Sequence, residues 1–195
     1  MVDVIRTFVA IELDAAMQRA LRDLQARLTR ERAARFVRWV APENIHLTLK
    51  FFGDVEASRL PDLERAITDA SANASPFNLA LENLGAFPNL NQPRVVWVGL
   101  QGEIEIAARL AEKIDAAGAA LGYARETRPF APHLTLGRVK RDVSPNDSRL
   151  IGEMIENVKV GALGNFRVER VSVMKSELKP SGSVYIRLSS IELKE

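Results

Sequence analysis

An internal duplication constrains this 195-residue chain more than any other feature. The word His-Leu-Thr-Leu occurs at 46–49 and again at 133–136, and the two words hold both histidines of the chain. A proline stands four positions before each histidine, at Pro42 and Pro129. Further upstream, Arg6–Leu13 (RTFVAIEL) matches Arg94–Leu100 (RVVWVGL). Both are apolar runs headed by arginine, and both read as strands. A repeat of this length calls for two related supersecondary units that close a core together.

The same order of elements follows in each half. Asp14 is a suitable N-cap for a helix over 15–33, in which Leu21, Leu24 and Leu28 recur at helical spacing. Its counterpart carries Ile104, Ala108, Leu110, Ala111, Ile114 and Leu121, with Gly122 placed to end it. After each His-Leu-Thr-Leu strand comes a second helix. The first covers about 57–72 with Leu60, Leu63, Ala66 and Ile67 inward. The other is capped by Ser144 with Pro145 in its first turn, and carries Leu150, Ile151, Met154 and Ile155. Residues 77–84, 166–174 and 183–193 alternate as strands. Proline- and glycine-containing loops such as 85–93 join the parts, and no stretch has the composition of a flexible linker. The expected architecture is α+β. Two pseudo-symmetric lobes would each carry a mainly antiparallel sheet with helices outside, and a cleft would lie between them. Residues 1–195 would form a single domain, with repeats at about 4–87 and 92–178 and a final strand at 183–193.

Bulk properties narrow the classes of function. Hydrophobic residues make up 47% and charged residues 27%, an ordinary globular balance. The net charge of +2, with no block of like charges, permits polyanion binding without arguing for it. There are no cysteines, so disulfides, thiolate metal sites and cysteine nucleophiles are excluded. The first apolar run is broken by Arg6 and Glu12 and is not a secretory signal, and no stretch approaches the roughly 20 apolar residues of a membrane helix. A monomer in the cytoplasm, without membrane contact, is expected.

On a strand, alternate side chains share a face, so His and Thr of the word point one way and the two leucines the other. The leucines can anchor the strand while His and Thr face a cleft. Two such strands bring two imidazoles and two hydroxyls toward one point. That set suits phosphodiester chemistry. One neutral imidazole takes a proton from the attacking oxygen, and the opposite imidazolium gives one to the leaving oxygen. The threonine hydroxyls donate to phosphoryl oxygens. No cofactor is needed, and two histidines without clustered carboxylates make a poor metal site. One such word alone would read as an ordinary strand with a hydrogen-bonded histidine. Two identical words inside a wider repeat reverse that reading.

At these residues the chain resembles the two-histidine (2H) phosphoesterase superfamily, defined by paired His-x-Thr-x motifs. More closely it is similar to the RNA 2',3'-cyclic phosphodiesterase family, also called 2'-5' RNA ligases. The stretches RTFVAIEL, WVAPENIHLTLKFFGDV, PRVVWVGL and RPFAPHLTLGRV carry the resemblance, in family order and over most of the chain. The resemblance implies hydrolysis of an RNA 2',3'-cyclic phosphate to a 2'-phosphomonoester by duplicated halves. His46 would be the proton donor to the departing 3'-oxygen and His133 the acceptor that activates water. Thr48 and Thr135 would hold phosphoryl oxygens. The partners implied are RNA ends, such as tRNA fragments or oligonucleotides with a cyclic phosphate, with nucleotides as further ligands. Some relatives run the chemistry toward 2'-5' ligation of tRNA halves.

Arg138 matches a basic residue common after the second motif in the family, and its functional reading is phosphate contact. Regular strand parity turns it away from His133 and Thr135, although a bulge at Gly137 would redirect it. Phe8 on the first strand and Phe130 before the second motif are candidates to stack on a base, with the core as the competing place for each. Lys50 shares the parity of His46 and Thr48 and is a candidate for the cleft, against the solvated surface that lysines usually occupy. Trp39 and Trp97 read as core anchors. Two further readings of function compete. One keeps the site with a small cyclic nucleotide, an ADP-ribose cyclic phosphate or a 2'-5' oligonucleotide as substrate. The other is an RNA-end or nucleotide-binding module without turnover.

Overall fold

The computed structural model describes residues 3–161, 164–179 and 182–194. The chain runs β1 (Val4–Glu12), α1 (Ala15–Leu28), β2 (Val37–Trp39), β3 (His46–Glu56), α2 (Leu60–Ser71), β4 (Phe77–Phe87) and β5 (Val95–Gly102). It continues through α3 (Ile104–Ala120), β6 (His133–Val139), α4 (Pro145–Asn157), β7 (Asn165–Val168), β8 (Arg170–Lys179) and β9 (Gly182–Glu192).

The helices begin where their caps stand. The Met17 N–H donates to Asp14 Oδ1 at 2.7 Å, and the Asp147 N–H donates to Ser144 Oγ at 3.1 Å. These bonds satisfy backbone donors that a first helical turn leaves open. Gly122 follows α3 with φ of +88°, a left-handed conformation that costs glycine little. α1 is shorter than the 15–33 expected. It stops at Leu28, and a 3-10 turn over Arg32–Phe36 carries Ala33 and Ala34 into the core. Their apolar spacing continues the helical pattern although the helix itself has ended. α2 is likewise shorter than 57–72, because a 3-10 turn takes Ala57–Arg59.

The strands form one curled sheet in the order β7-β4-β5-β6-β3-β1-β8-β9, with β2 on β6, and every neighbouring pair is antiparallel. One lobe is β3-β1-β8-β9. The other is β6-β5-β4-β7 with β2. They join where Leu47 faces Leu134, so the two His-Leu-Thr-Leu words lie side by side at the seam. Both leucines are buried, and each contributes about 2 kcal/mol by leaving water. β1 lies inside its sheet and is buried at every position from Thr7 to Ile11, as expected of a strand covered on both faces.

The lobes are not the sequence halves. β4 closes the first repeat yet pairs with β5, while β8 from the second repeat pairs with β1. The helices cross over as well. Gln25 of α1 donates to Leu136 O of β6 at 3.0 Å, and α3 packs on β3 and α2. The stretch 166–174, expected as one strand, is interrupted at Glu169, where the chain passes from one lobe (β7 on β4) to the other (β8 on β1). β2 was not foreseen. Among the described residues, no helix is long and apolar enough to cross a membrane.

Candidate active site

Each His-Leu-Thr-Leu word opens a strand, and each strand bulges at the last leucine of its word. Across from β3, Val9 pairs with Lys50 and Ala10 with Thr48, so Leu49 is left over. Across from β6, Val96 pairs with Gly137 and Trp97 with Thr135, so Leu136 is left over. An extra residue reverses side-chain parity beyond it. His and Thr of each word therefore face the cleft together. One residue to either side of the Leu47–Leu134 pair, antiparallel register sets His46 across from Thr135 and Thr48 across from His133. All four side chains line one pocket of about 340 Å³.

Each imidazole is held from behind. His46 Nδ1 donates to Asn44 O at 2.9 Å, and His133 Nδ1 donates to Ala131 O at 2.7 Å. A carbonyl oxygen only accepts, so the proton sits on Nδ1 in both neutral rings. Nε2 is left to accept a proton from a ligand or, when protonated, to donate one. The Tyr185 ring meets His46 edge-on at 4.9 Å, and Phe87 meets His133 edge-on at the same 4.9 Å. Phe8 lies against His46 at 4.9 Å. Burial pushes the His46 imidazole below its ordinary pKa. The Asn44 carbonyl and the Glu12 carboxylate oppose that, and His133 adds to the lowering. Glu12 stands opposite His46 in the β1–β3 ladder. It accepts from Ser172 Oγ at 2.6 Å and Arg187 Nε at 2.7 Å. Against the effect of burial, those bonds hold its carboxyl below the usual carboxylate range.

The bulges decide the remaining candidates. Arg138 lies beyond the Leu136 bulge and lines the pocket, with the bulge one residue before the Gly137 position that parity had called for. Phe8 borders the pocket but is only 2% exposed. It packs with Ala10, Met174 and Tyr185 and supports the His46 ring instead of offering a free face. Lys50 does not reach the cleft. The Leu49 bulge turns it to the helix side, where Nζ donates to Asp115 Oδ1 of α3 at 2.6 Å and to Ala124 O at 2.7 Å. Phe130 is also outside the cleft, half-buried against a depression it shares with Lys50, Asp115 and Pro129. Trp97 is half-buried, packed on Phe87 at 5.3 Å.

Several cleft residues were not singled out from the sequence. Phe51 occupies the place that parity gave to Lys50 and is 46% exposed, with the Arg6 guanidinium 4.6 Å over its ring. The repeat itself held the signal, because Phe51 stands in the first half where Arg138 stands in the second. Tyr185 arrives from β9, far along the chain, and no local pattern announces it. Among the described residues, no group of three or more His, Asp or Glu side chains is placed to hold a metal ion.

With this geometry the chain can be set beside known proteins. A family model described as LigT like phosphoesterase matches twice, over residues 11–97 and 98–185. The chain is 38% identical over 192 residues to an RNA 2',3'-cyclic phosphodiesterase of Methanothermobacter thermautotrophicus, covering 97% of this chain and 99% of that one. The solved structure of TT0787 of Thermus thermophilus superposes with a TM-score of 0.78 at 30% identity, covering 96% of this chain and 97% of that one. E. coli LigT complexed with 3'-AMP superposes with a TM-score of 0.78 at 24% identity, covering 99% and 100%, and shares the fold. The doubled motif, the curled antiparallel sheet and both matches of the family model thus agree: the chain belongs to the LigT-like phosphoesterases of the two-histidine superfamily.

Proposed function

We propose that this protein hydrolyses the 2',3'-cyclic phosphate at an RNA 3' end to a 2'-phosphomonoester. The observation that carries the reading is the pair of imidazoles from two lobes, each anchored at Nδ1 by a backbone carbonyl and each lining the same pocket. His133 Nε2 takes a proton from water as the water oxygen bonds to phosphorus. The bond from phosphorus to O3' breaks, and His46 Nε2 delivers its proton to that oxygen. Thr48 and Thr135 donate to the nonbridging oxygens, where charge builds, and Arg138 neutralises it. The two proton transfers balance, and solvent exchange resets both rings. A 5'-hydroxyl in place of water gives a 2'-5' linkage by the same transfers.

The similarity to the M. thermautotrophicus RNA 2',3'-cyclic phosphodiesterase over nearly the full length of both chains supports an RNA substrate. Exposed Phe51 offers a ring to a base of that RNA, the part first considered for Phe8 and Phe130. Neither half holds both histidines, so the repeats act as one catalytic domain. RNA ends place its work in the cytoplasm. The test is to incubate the protein with an oligonucleotide ending in a 2',3'-cyclic phosphate, in EDTA, and read the product by phosphorus NMR. A 2'-phosphate is expected. A 3'-phosphate would overturn the assignment of the leaving oxygen, and an unchanged cyclic phosphate would overturn the hydrolase.

A further inference from the structure

Arg38 stands directly opposite Arg138 where β2 pairs with β6. Cross-strand partners lie on the same face of a sheet. Val40, two residues after Arg38, lines the cleft, which places Arg38 on the cleft side. Lys140 follows Arg138 by two positions, just past the end of β6, where its N–H donates to Phe36 O at 2.9 Å and it borders the depression next to the cleft. Arg38, Arg138 and Lys140 are all exposed.

Like charges directly opposite on a sheet repel. Among the described residues, no carboxylate relieves these three cations, and Asp142, two residues beyond Lys140, pairs with none of them. Other exposed arginines do find partners, such as Arg149 with Glu153 and Arg170 with Glu192. An uncompensated row of cations running out of a phosphodiester pocket is a site for more phosphates. The chemistry gives the direction. An RNA bearing a cyclic phosphate at its 3' end continues only on the 5' side, so any further phosphates belong to that side.

We propose that Arg38 and Lys140 form a second anion subsite that holds backbone phosphates 5' to the reacting end, and that this subsite makes the enzyme favour oligonucleotides over mononucleotides. The inference rests on the hydrolase reading above. Arg138 serves the reacting phosphate, and Arg38 and Lys140 engage only a substrate with more than one phosphate. The arginine fork suits a phosphate in particular.

The experiment measures kcat/KM for a 2',3'-cyclic mononucleotide and for a hexanucleotide with a cyclic phosphate end. It compares wild type, Arg38→Ala/Lys140→Ala and Arg38→Lys/Lys140→Arg at several salt concentrations. The wild type is expected to favour the hexamer by about 10²-fold, the effect of two charge-assisted contacts at about 10-fold each. The alanine pair keeps its mononucleotide activity within about twofold and loses the preference. Its log–log salt slope for the hexamer is shallower by about 1.4, the value for two single-strand phosphate contacts. The charge-conserving pair retains the preference. Equal loss on both substrates, an unchanged salt slope, or no preference in the wild type overturns the subsite. Hydrolysis of the mononucleotide without any preference removes this inference alone, whereas a wild type that turns over neither substrate removes the hydrolase reading and this one with it.

Discussion

Around His46 the walls are Phe8, Tyr185 and the Glu12 carboxylate; around His133 they are Phe87 and a glycine, Gly99. The two words are identical in sequence, and their strands bulge at the same leucine. The comparison shows how one motif used twice acquires two roles. The strand supplies the aim of the imidazole and the backbone carbonyl supplies its tautomer, and these are common to both halves. The neighbours are not. Glu12 stands opposite His46 and favours its protonated form, while the equivalent place opposite His133 is Gly99, whose Cβ would lie 3.4 Å from the Trp97 ring and 3.5 Å from Asn83 O. A carboxylate opposite His46 and a glycine opposite His133 fit the acid and base proposed for them.

The position after each bulge differs as well. In the first half it is Lys50, whose bonds to Asp115 and Ala124 O tie the approach to His133 onto α3, with Asp115 also accepting from the Glu126 N–H at 3.0 Å. In the second half it is Gly137, where a Cβ would come within 2.5 Å of Val37 Cγ1. That glycine lets β2 lie against β6. One half uses the position to pin a loop, and the other uses it to admit a strand.

The hardest test of equivalence between the halves is removal of either imidazole. His46→Ala and His133→Ala are each expected to lower kcat by about 10³-fold, with the double variant no worse than either single one, because acid and base act as a unit. Near-normal turnover in one of them would break the pairing. Asp115→Asn leaves the Lys50 ammonium buried and is expected to cost about 3 kcal/mol in urea denaturation. Because Lys50 lies outside the cleft, kcat at low temperature should hold. A loss of kcat without a loss of stability would return Lys50 to the site. Thr48→Ala and Thr135→Ala should each cost about 10²-fold in kcat, and an unequal pair would show which lobe holds the more strongly charged oxygen. Arg138→Ala is expected to raise KM by about 10-fold, whereas Phe51→Ala on the matching position should act only on substrates that carry a base to stack.

The smallest effect sharpens the comparison most. As the proposed proton donor, His46 has to be protonated for turnover, and burial holds its pKa below the ordinary imidazole value. The imidazolium fraction therefore falls as pH rises through that lowered value, which sets the alkaline limb of kcat/KM. Glu12 raises the His46 pKa, so Glu12→Gln should move the alkaline limb to lower pH and leave the acid limb in place. A shift toward higher pH, or of the acid limb instead, would remove Glu12 as the source of the asymmetry.

Much of this was legible from residues alone. The repeated words, the caps at Asp14 and Ser144, and the strand order of each half follow from spacing and local chemistry. The errors in strand side-chain direction share one cause. Parity beyond Leu49 and Leu136 assumes an unbroken strand, and the bulges that break it arise from pairing with β1 and β5. Hence Lys50, a candidate for the cleft or the solvated surface, lies in neither, and Phe51 was overlooked. Phe130 packs against the core, the place set against base stacking for it, because the loop before the second motif crosses the α3 side of the sheet. β2 has only three residues and exists because β6 offers an edge, so no local periodicity could reveal it.

The exchange of strands between the repeats also bears on how the protein is made. A ribosome delivers β1 first, yet its sheet partner β8 and the Tyr185 that braces His46 come from the last part of the chain. The second lobe can assemble once β7 is out, since β4, β5 and β6 are already present. The lobe begun first is thus completed last, and β1 must wait with one edge open while most of the molecule is synthesised. An open edge is an invitation to wrong partners. In the nascent chain, the lobe that carries His46 is therefore the lobe most exposed to misassembly, and its side of the cleft is complete only once β8 and β9 have emerged.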